Sequence, residues 1–288
     1  MNTAWHEDGS LLLLPSKSGV SASAWKHKHI IDLNDFTADE IELVLQITDA
    51  MKEVLSRPIK KVPALRGKSV VTVFYENSTR TKLSFETAAK ALSADVSSLA
   101  VSSSSVAKGE SLIDTLQTLE ALGAQIVIMR HPHSGASNLA AQHIKGSVIN
   151  AGDGWHAHPT QALLDMYTIK SHKGSLKGLK VAIVGDTRHS RVARSDIWGL
   201  TAMDASITIC SPSTLLPYAI EQPGSIFPSV EIEPCIEKAV KDADVVMVLR
   251  LQKERMESGL LPSMREYIKL YQLDEKRLSL ARPDALLM

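Results

Sequence analysis

The sequence predicts an α/β protein made of two doubly wound parallel-sheet domains with the active site between them. Three observations predict it. The chain has 288 residues, about two domains of ordinary size. Its apolar segments are short and β-branched, in the manner of buried strands. Between them run stretches with apolar residues at helical spacing, and repeated βα units give parallel sheets covered by helices.

Residues 1–29 are Ser-rich and lack periodicity, so they are expected to form a poorly ordered extension. Glu7 and Asp8 stand where a secretory signal needs positive charge, and Leu11 to Pro15 is too short for its apolar core. Residues 30–158 form the first expected domain. A helix starts near Thr37, with Asp39 and Glu40 in the first turn to suit the helix dipole. Its Ile41, Val44, Leu45, Thr48 and Met51 keep one face, and Pro58 and Pro63 end it. Val70 to Tyr75 is a strand, Thr81 to Leu92 a helix, and Leu112 to Leu122 a helix stopped by Gly123. Ile126 to Met129 and Val148 to Asn150 are short buried strands.

Residues 159–288 form the second domain, and the two meet near Ala157 to Leu164. After the Gly174 to Gly178 connection, Val181 to Val184 is a strand, Arg191 to Leu200 a helix and Ser206 to Cys210 a strand. Ile236 to Lys241 is a short helix that leads to the strand Val245 to Leu249.

Composition excludes several classes. Lys plus Arg and Asp plus Glu are 32 each, so the chain lacks the basic balance of a general nucleic-acid or anionic-membrane binder. No apolar run approaches the ~20 residues of a membrane span. Cys210 and Cys235 are the two cysteines, without a CxxC, which fits a reducing cytoplasm and argues against a disulfide framework or Cys-rich zinc site.

Ligands of such folds bind beyond the C-terminal ends of strands, and the charged residues sit there. Tyr75 to Glu86 carries a strand into a helix whose start holds Ser78, Thr79, Arg80 and Thr81. Free N–H groups and the dipole favour an anion at such a start, and Arg80 adds a forked donor suited to phosphate. One hydroxyl suffices for a cap, whereas here three surround an Arg. There is no GxxxxGK[ST], so this is no nucleotide P-loop, and Gly185-Asp186-Thr187 lacks GxGxxG. Arg130-His131-Pro132, His158-Pro159-Thr160-Gln161, Arg191 and Arg250-Leu251-Gln252 follow other strands. A lone Arg defaults to a surface ion pair; recurrence at successive strand ends points to a small polyanionic substrate. The pairs His131/His133 and His156/His158 lack the spacing or company of a metal site, so no metal is expected.

These segments, with Gly185-Asp186…Arg191, the Ser-rich loop ending Lys108-Gly109-Glu110 and the run Arg250 to Arg255, occur together and in order. In that order they resemble the aspartate/ornithine carbamoyltransferase family from about Asp32 to the C-terminus. The resemblance implies carbamoyl transfer from carbamoyl phosphate to L-aspartate, a step of pyrimidine synthesis, with no cofactor. It implies that Ser78, Thr79, Arg80 and Thr81 hold the phosphate. Thr81, Arg130 and His158 would bind the carbamoyl oxygen, and Gln161 the carbamoyl nitrogen. Arg191, Arg250 and Gln252 would hold the aspartate carboxylates. Ser104 and Lys108 would enter a neighbouring subunit's site in a cytoplasmic homotrimer, with room for regulatory or other pyrimidine-pathway chains. The family pattern continues past a segment like Arg282 to Met288 with a His-Pro-Gly-Pro-type loop and a final helix. A chain without that tail is expected to lose carbamoyl contacts and bare part of a core. Two alternatives stay open: transfer to ornithine, which needs a carboxylate where Arg250 and Gln252 stand, and a catalytically silent structural or regulatory homologue, which the full set of charged residues disfavours.

Overall fold

A computed structural model describes residues 25–101, 109–218, 220, 222, 225–252, 255–256 and 259–288. The chain forms two units. One holds the described residues up to Asp32 together with Thr37–Thr160, and the other holds Leu33–Phe36 and Gln161–Met288.

The first unit begins with α1 (Ala38–Ser56). Thr37 caps it, its Oγ1 accepting from the Glu40 N–H at 3.3 Å while the Thr37 N–H donates to Glu40 Oε2 at 2.8 Å. This capping box is why the helix starts where the sequence placed it. Then follow β1 (Ser69–Phe74), α2 (Thr79–Ala91), β2 (Asp95–Leu99), α3 (Leu112–Ala121), β3 (Ile126–His131), α4 (Ala136–His143) and β4 (Ser147–Asp153). The strands run parallel in the order β2-β1-β3-β4. Alternation along β1 and β3 divides the core. Val71, Val73, Val127 and Met129 pack with Leu116 of α3 and Ala140 of α4, while Val70 and Ile128 pack with Ala89 of α2. Helices therefore cover both faces, as expected of a doubly wound sheet. Each large side chain so buried contributes about 1.5–3 kcal/mol.

The second unit takes α5 (Pro159–Lys173) from Gln161 onward, then β5 (Lys180–Val184), α6 (Arg191–Ala202), β6 (Ser206–Cys210), β7 (Glu231–Ile232), α7 (Ile236–Ala239), β8 (Val245–Val248), α8 (Met264–Tyr271), α9 (Glu275–Leu278) and β9 (Leu286–Leu287). Its five parallel strands have the order β7-β6-β5-β8-β9. Ala182, Val184 and Val246 pack with Ile236, Ala239 and Val240 on one face. The buried Val181, Ile183 and Ile209 alternate with them and point to the other. No helix among the described residues is long and apolar enough to cross a membrane.

In each sheet the chain winds outward in one direction and then returns to wind in the other. The reversal lies between β1 and β3 in the first unit and between β5 and β8 in the second. The crevice beyond the strand ends at such a reversal is where open α/β sheets take ligands.

Candidate active site

At the β1/β3 reversal, β1 runs into α2 through Tyr75 to Ser78. Ser78 is the N-cap of α2 with φ −158° and ψ 93°, yet its hydroxyl makes no capping bond. The first-turn N–H groups of α2 also lack intrahelical partners, as at every helix start. Thr79 and Arg80 are exposed. The turn thus presents hydroxyls, N–H donors and a guanidinium together, and α2 has no acid in its first turn to compete for them.

Arg130, near the end of β3, reaches across the reversal. Its Nε lies 3.0 Å from Glu76 Oε2, and Nη1 donates to Thr81 Oγ1 at 3.5 Å. The Arg130 carbonyl accepts from the Tyr75 N–H at 2.9 Å. Arg130 and Thr81 therefore stand side by side. His131 is turned away from them into a ring contact with Tyr75, centroids 4.5 Å apart. Burial first, then His133, hold its pKa below the ordinary value.

His158 is buried, with Thr160 Oγ1 3.4 Å from its Nδ1. The turn before it hangs on Asp153, which is fully buried. Asp153 accepts from Gly135 N–H at 2.7 Å, Asn150 Nδ2 at 2.7 Å and Ala157 N–H at 3.2 Å. His156 bridges Asp153, 3.1 Å from Nδ1, and Asp32, 3.4 Å from Nε2. Hydrogen bonds to these two carboxylates push its pKa up to about 9. His156 is thus part of the scaffold that sets the turn. Among the described residues no cluster of three or more His, Cys, Asp or Glu is placed to hold a metal ion.

At the β5/β8 reversal, Gly185 has φ +123°, and a Cβ there would stand 2.7 Å from the Leu249 carbonyl oxygen. Only glycine permits this approach of the two strand ends. Asp186 follows it, fully buried. Its Oδ1 accepts from the His189 N–H at 3.2 Å and faces His189 Nδ1 at 2.8 Å. Its Oδ2 accepts the Gln252 N–H at 3.1 Å. Arg191 opens α6 and is buried, behind the Ser190 cap. Arg250 is exposed, and its Nη2 donates to Gln252 Oε1 at 3.0 Å. Gln161, on the first turn of α5, donates through Nε2 to Asp165 Oδ1 at 2.9 Å.

The sequence reading thus named Arg80, Thr81 and Arg130 at one reversal and Arg191, Arg250 and Gln252 at the other, and each set lies within its own unit. Ser104 and Lys108 fall outside the described residues. The acids that hold these groups, Glu76, Asp186, Asp153 and Asp165, had no role assigned from sequence. Glu76 and Asp186 stand inside the quoted motifs, which was the available signal.

A family model for the carbamoyl-phosphate-binding domain of aspartate/ornithine carbamoyltransferase matches residues 28–171, and one for the Asp/Orn-binding domain matches residues 177–288. The chain belongs to the aspartate/ornithine carbamoyltransferase family. Within that carbamoyltransferase family it is 59% identical over 264 residues to an aspartate carbamoyltransferase catalytic subunit of Dehalococcoides mccartyi, covering 92% of this chain and 80% of that one. Aspartate transcarbamoylase of Trypanosoma cruzi, solved with carbamoyl phosphate and aspartate, superposes with a TM-score of 0.81 at 29% identity, over 91% of this chain and 85% of that one. The catalytic subunit of M. jannaschii aspartate transcarbamoylase does so with a TM-score of 0.76 at 38% identity, over 91% and 85%. The boundary between the two carbamoyltransferase models falls at the C-terminal end of α5, between residues 171 and 177.

Proposed function

We propose that this chain transfers the carbamoyl group of carbamoyl phosphate to the amine of L-aspartate, releasing N-carbamoyl-L-aspartate and phosphate in pyrimidine synthesis. The observation that carries the choice of aspartate is at the β5/β8 reversal. The Asp186–Gln252 bond ties the residues after β8 to the strand end that leads to Arg191. The carboxylate there is buried and already holds His189, so it is not offered to a cationic substrate. Two arginines and an amide suit two carboxylates.

In this reading Ser78, Thr79, Arg80 and Thr81 hold the phosphate. Thr81, Arg130 and His158 act on the carbamoyl oxygen, and Gln161 on the carbamoyl nitrogen. Arg191, Arg250 and Gln252 bind aspartate. The substrate amine is the nucleophile, so the enzyme supplies none. Its attack on the carbamoyl carbon builds negative charge on the carbamoyl oxygen, and collapse expels phosphate. Donors fixed in advance at both oxygens lower the barrier, and joining both substrates on one protein adds proximity. The Glu76–Arg130 pair supports this, because it fixes the guanidinium beside Thr81 before substrate arrives.

We also propose a cytoplasmic homotrimer in which Ser104 and Lys108 enter a neighbouring subunit's site, able to join regulatory or other pyrimidine-pathway chains. The free thiols of Cys210 and Cys235 support a reducing compartment, and the family resemblance supports the trimer. The deciding experiment offers the purified chain carbamoyl phosphate with L-aspartate or with L-ornithine. N-carbamoyl-aspartate is expected. Arg250→Ala should raise the aspartate KM with carbamoyl-phosphate binding nearly intact, by roughly 1.5–3 kcal/mol for one charge-assisted contact. Citrulline formation by the wild type overturns the assignment.

A further inference from the structure

Two acidic side chains are buried where α5 meets α6, and the reaction above uses neither. Asp165 is 7% exposed and Asp196 not at all. Gly199, three residues beyond Asp196, marks how closely the helices pack. A Cβ on it would lie 2.6 Å from Cε and 3.0 Å from Sδ of Met166, the neighbour of Asp165, and 3.1 Å from Leu33 Cδ1. Both carboxyls are thus buried at one helix crossing, within electrostatic reach of each other. No ion pair joins either carboxyl to a Lys, Arg or His among the described residues, and Leu33 brings no charge. Both oxygens of Asp196 are buried without a hydrogen-bond partner. A carboxylate cannot remain charged in such a place, so Asp196 is the neutral acid. Asp165, by contrast, accepts the Gln161 amide at 2.9 Å.

An amide has a donor end and an acceptor end, and the neighbour decides which is spent. An ionised Asp165 accepts only, so it takes the NH₂ end of Gln161 and leaves Oε1 free. A protonated Asp165 also donates, and it can take Oε1 and leave the NH₂ end instead. The carbamoyl nitrogen carries hydrogens and needs an acceptor.

We propose that Asp165 is a positioning residue that presents the carbonyl end of Gln161 to the carbamoyl NH₂, with neutral Asp196 behind it, and that protonation of Asp165 turns the amide the wrong way. The inference rests on the role given to Gln161 above. Burial, opposed by the Gln161 hydrogen bond, raises the Asp165 pKa to about 6. Burial and then Asp165 push that of Asp196 up further. The turnover of the amide therefore falls just below neutral pH.

The test is calorimetric binding of carbamoyl phosphate to the full chain between pH 5 and 8.5, with thermal unfolding run alongside. The wild type should lose affinity about tenfold in a one-proton step centred near pH 6. Asp165→Asn should bind more weakly at pH 8, by no more than the roughly tenfold of the wild-type step, and lack that step, because an Asn accepts either end of Gln161 and carries no titrating proton. Gln161→Ala should lack the step too, with Asp165 intact, which decides the matter even if Asp165→Asn folds poorly. Combining the two substitutions should cost little beyond either alone. A step that persists unchanged in Gln161→Ala, or losses that add in full, overturn the proposal. Turnover with aspartate is a separate assay: its absence tells against the proposed reaction, while the binding data still decide the role of Asp165.

Discussion

The backbone N–H of Gln252 donates to Asp186 Oδ2 at 3.1 Å, joining the residues after β8 to the end of β5. The two residues are 66 apart in the chain. The bond fixes the backbone beside Arg250, whose own guanidinium donates to the Leu251 carbonyl at 3.2 Å and to Gln252 Oε1 at 3.0 Å. In the proposed reaction Asp186 would thus act on aspartate binding through the backbone of Gln252.

Asp186→Ala leaves the Gln252 N–H and buried His189 without their acceptor. Loss of a buried charged acceptor costs on the order of 3 kcal/mol. The expected outcome is a clear drop in unfolding temperature together with a raised KM for aspartate. The affinity for carbamoyl phosphate should change far less. An aspartate KM equal to the wild type's in a destabilised protein would assign Asp186 to folding alone.

His156 gives the first unit a pH-dependent clamp. Its pKa rises from 6.5 to about 9 because the hydrogen bonds to Asp153 and Asp32 favour the charged ring. A folded-state pKa above the unfolded one stabilises fully below pH 6.5 and ceases to do so as pH rises through about 9. The rise corresponds to about 3 kcal/mol. His156→Gln should therefore be less stable than the wild type at pH 6, and the gap should close toward pH 10. Denaturant titrations at both pH values measure it, and a gap that is constant or widens with pH contradicts the clamp.

Much of this was legible in the residues and some was not. Thr37 with Glu40, and the runs that became β1, β3, β5 and β8, signal themselves through capping and continuous apolar stretches. β2 did not, because it is an edge strand: Asp95, Ser97 and Ser98 are exposed, and only backbone pairing with β1 makes it a strand. The same holds for the two-residue strands β7 and β9 at the edges of the second sheet. α4 starts at Gly135 in a left-handed conformation, φ 85°, without the Ser, Thr or Asp that announces a helix. In the site, the arginines and hydroxyls stood out because they follow strands. Glu76 did not, since its partner Arg130 is 54 residues away and only the β1/β3 neighbourhood joins them. Asp165 and Asp196 carry no pattern at all; their burial is a product of helix packing.

Arg80 has no hydrogen bond or ion pair from its guanidinium among the described residues and projects from the first turn of α2. Arg80→Lys keeps the charge and loses the fork. The leaving phosphate gains charge in the transition state, so kcat should fall more than carbamoyl-phosphate affinity. An unchanged kcat with a raised KM would mean that Arg80 binds the ground state only.

The shared site proposed for Lys108 has a test by mixing. Lys108→Ala and Arg191→Ala chains should each be nearly inactive alone, because every site lacks one cation. A closed threefold ring repeats one heterologous contact at each boundary. In any mixed ring, about one site in three then pairs an intact Arg191 with an intact Lys108 from the next chain. Dissociating and reassembling the two variants together should restore activity that neither parent has. The gain should scale with the fraction of mixed trimers read by native mass spectrometry. If mixed trimers form and activity stays at the level of the parents, Lys108 serves its own chain. A gain without trimers would place the exchange in some other assembly.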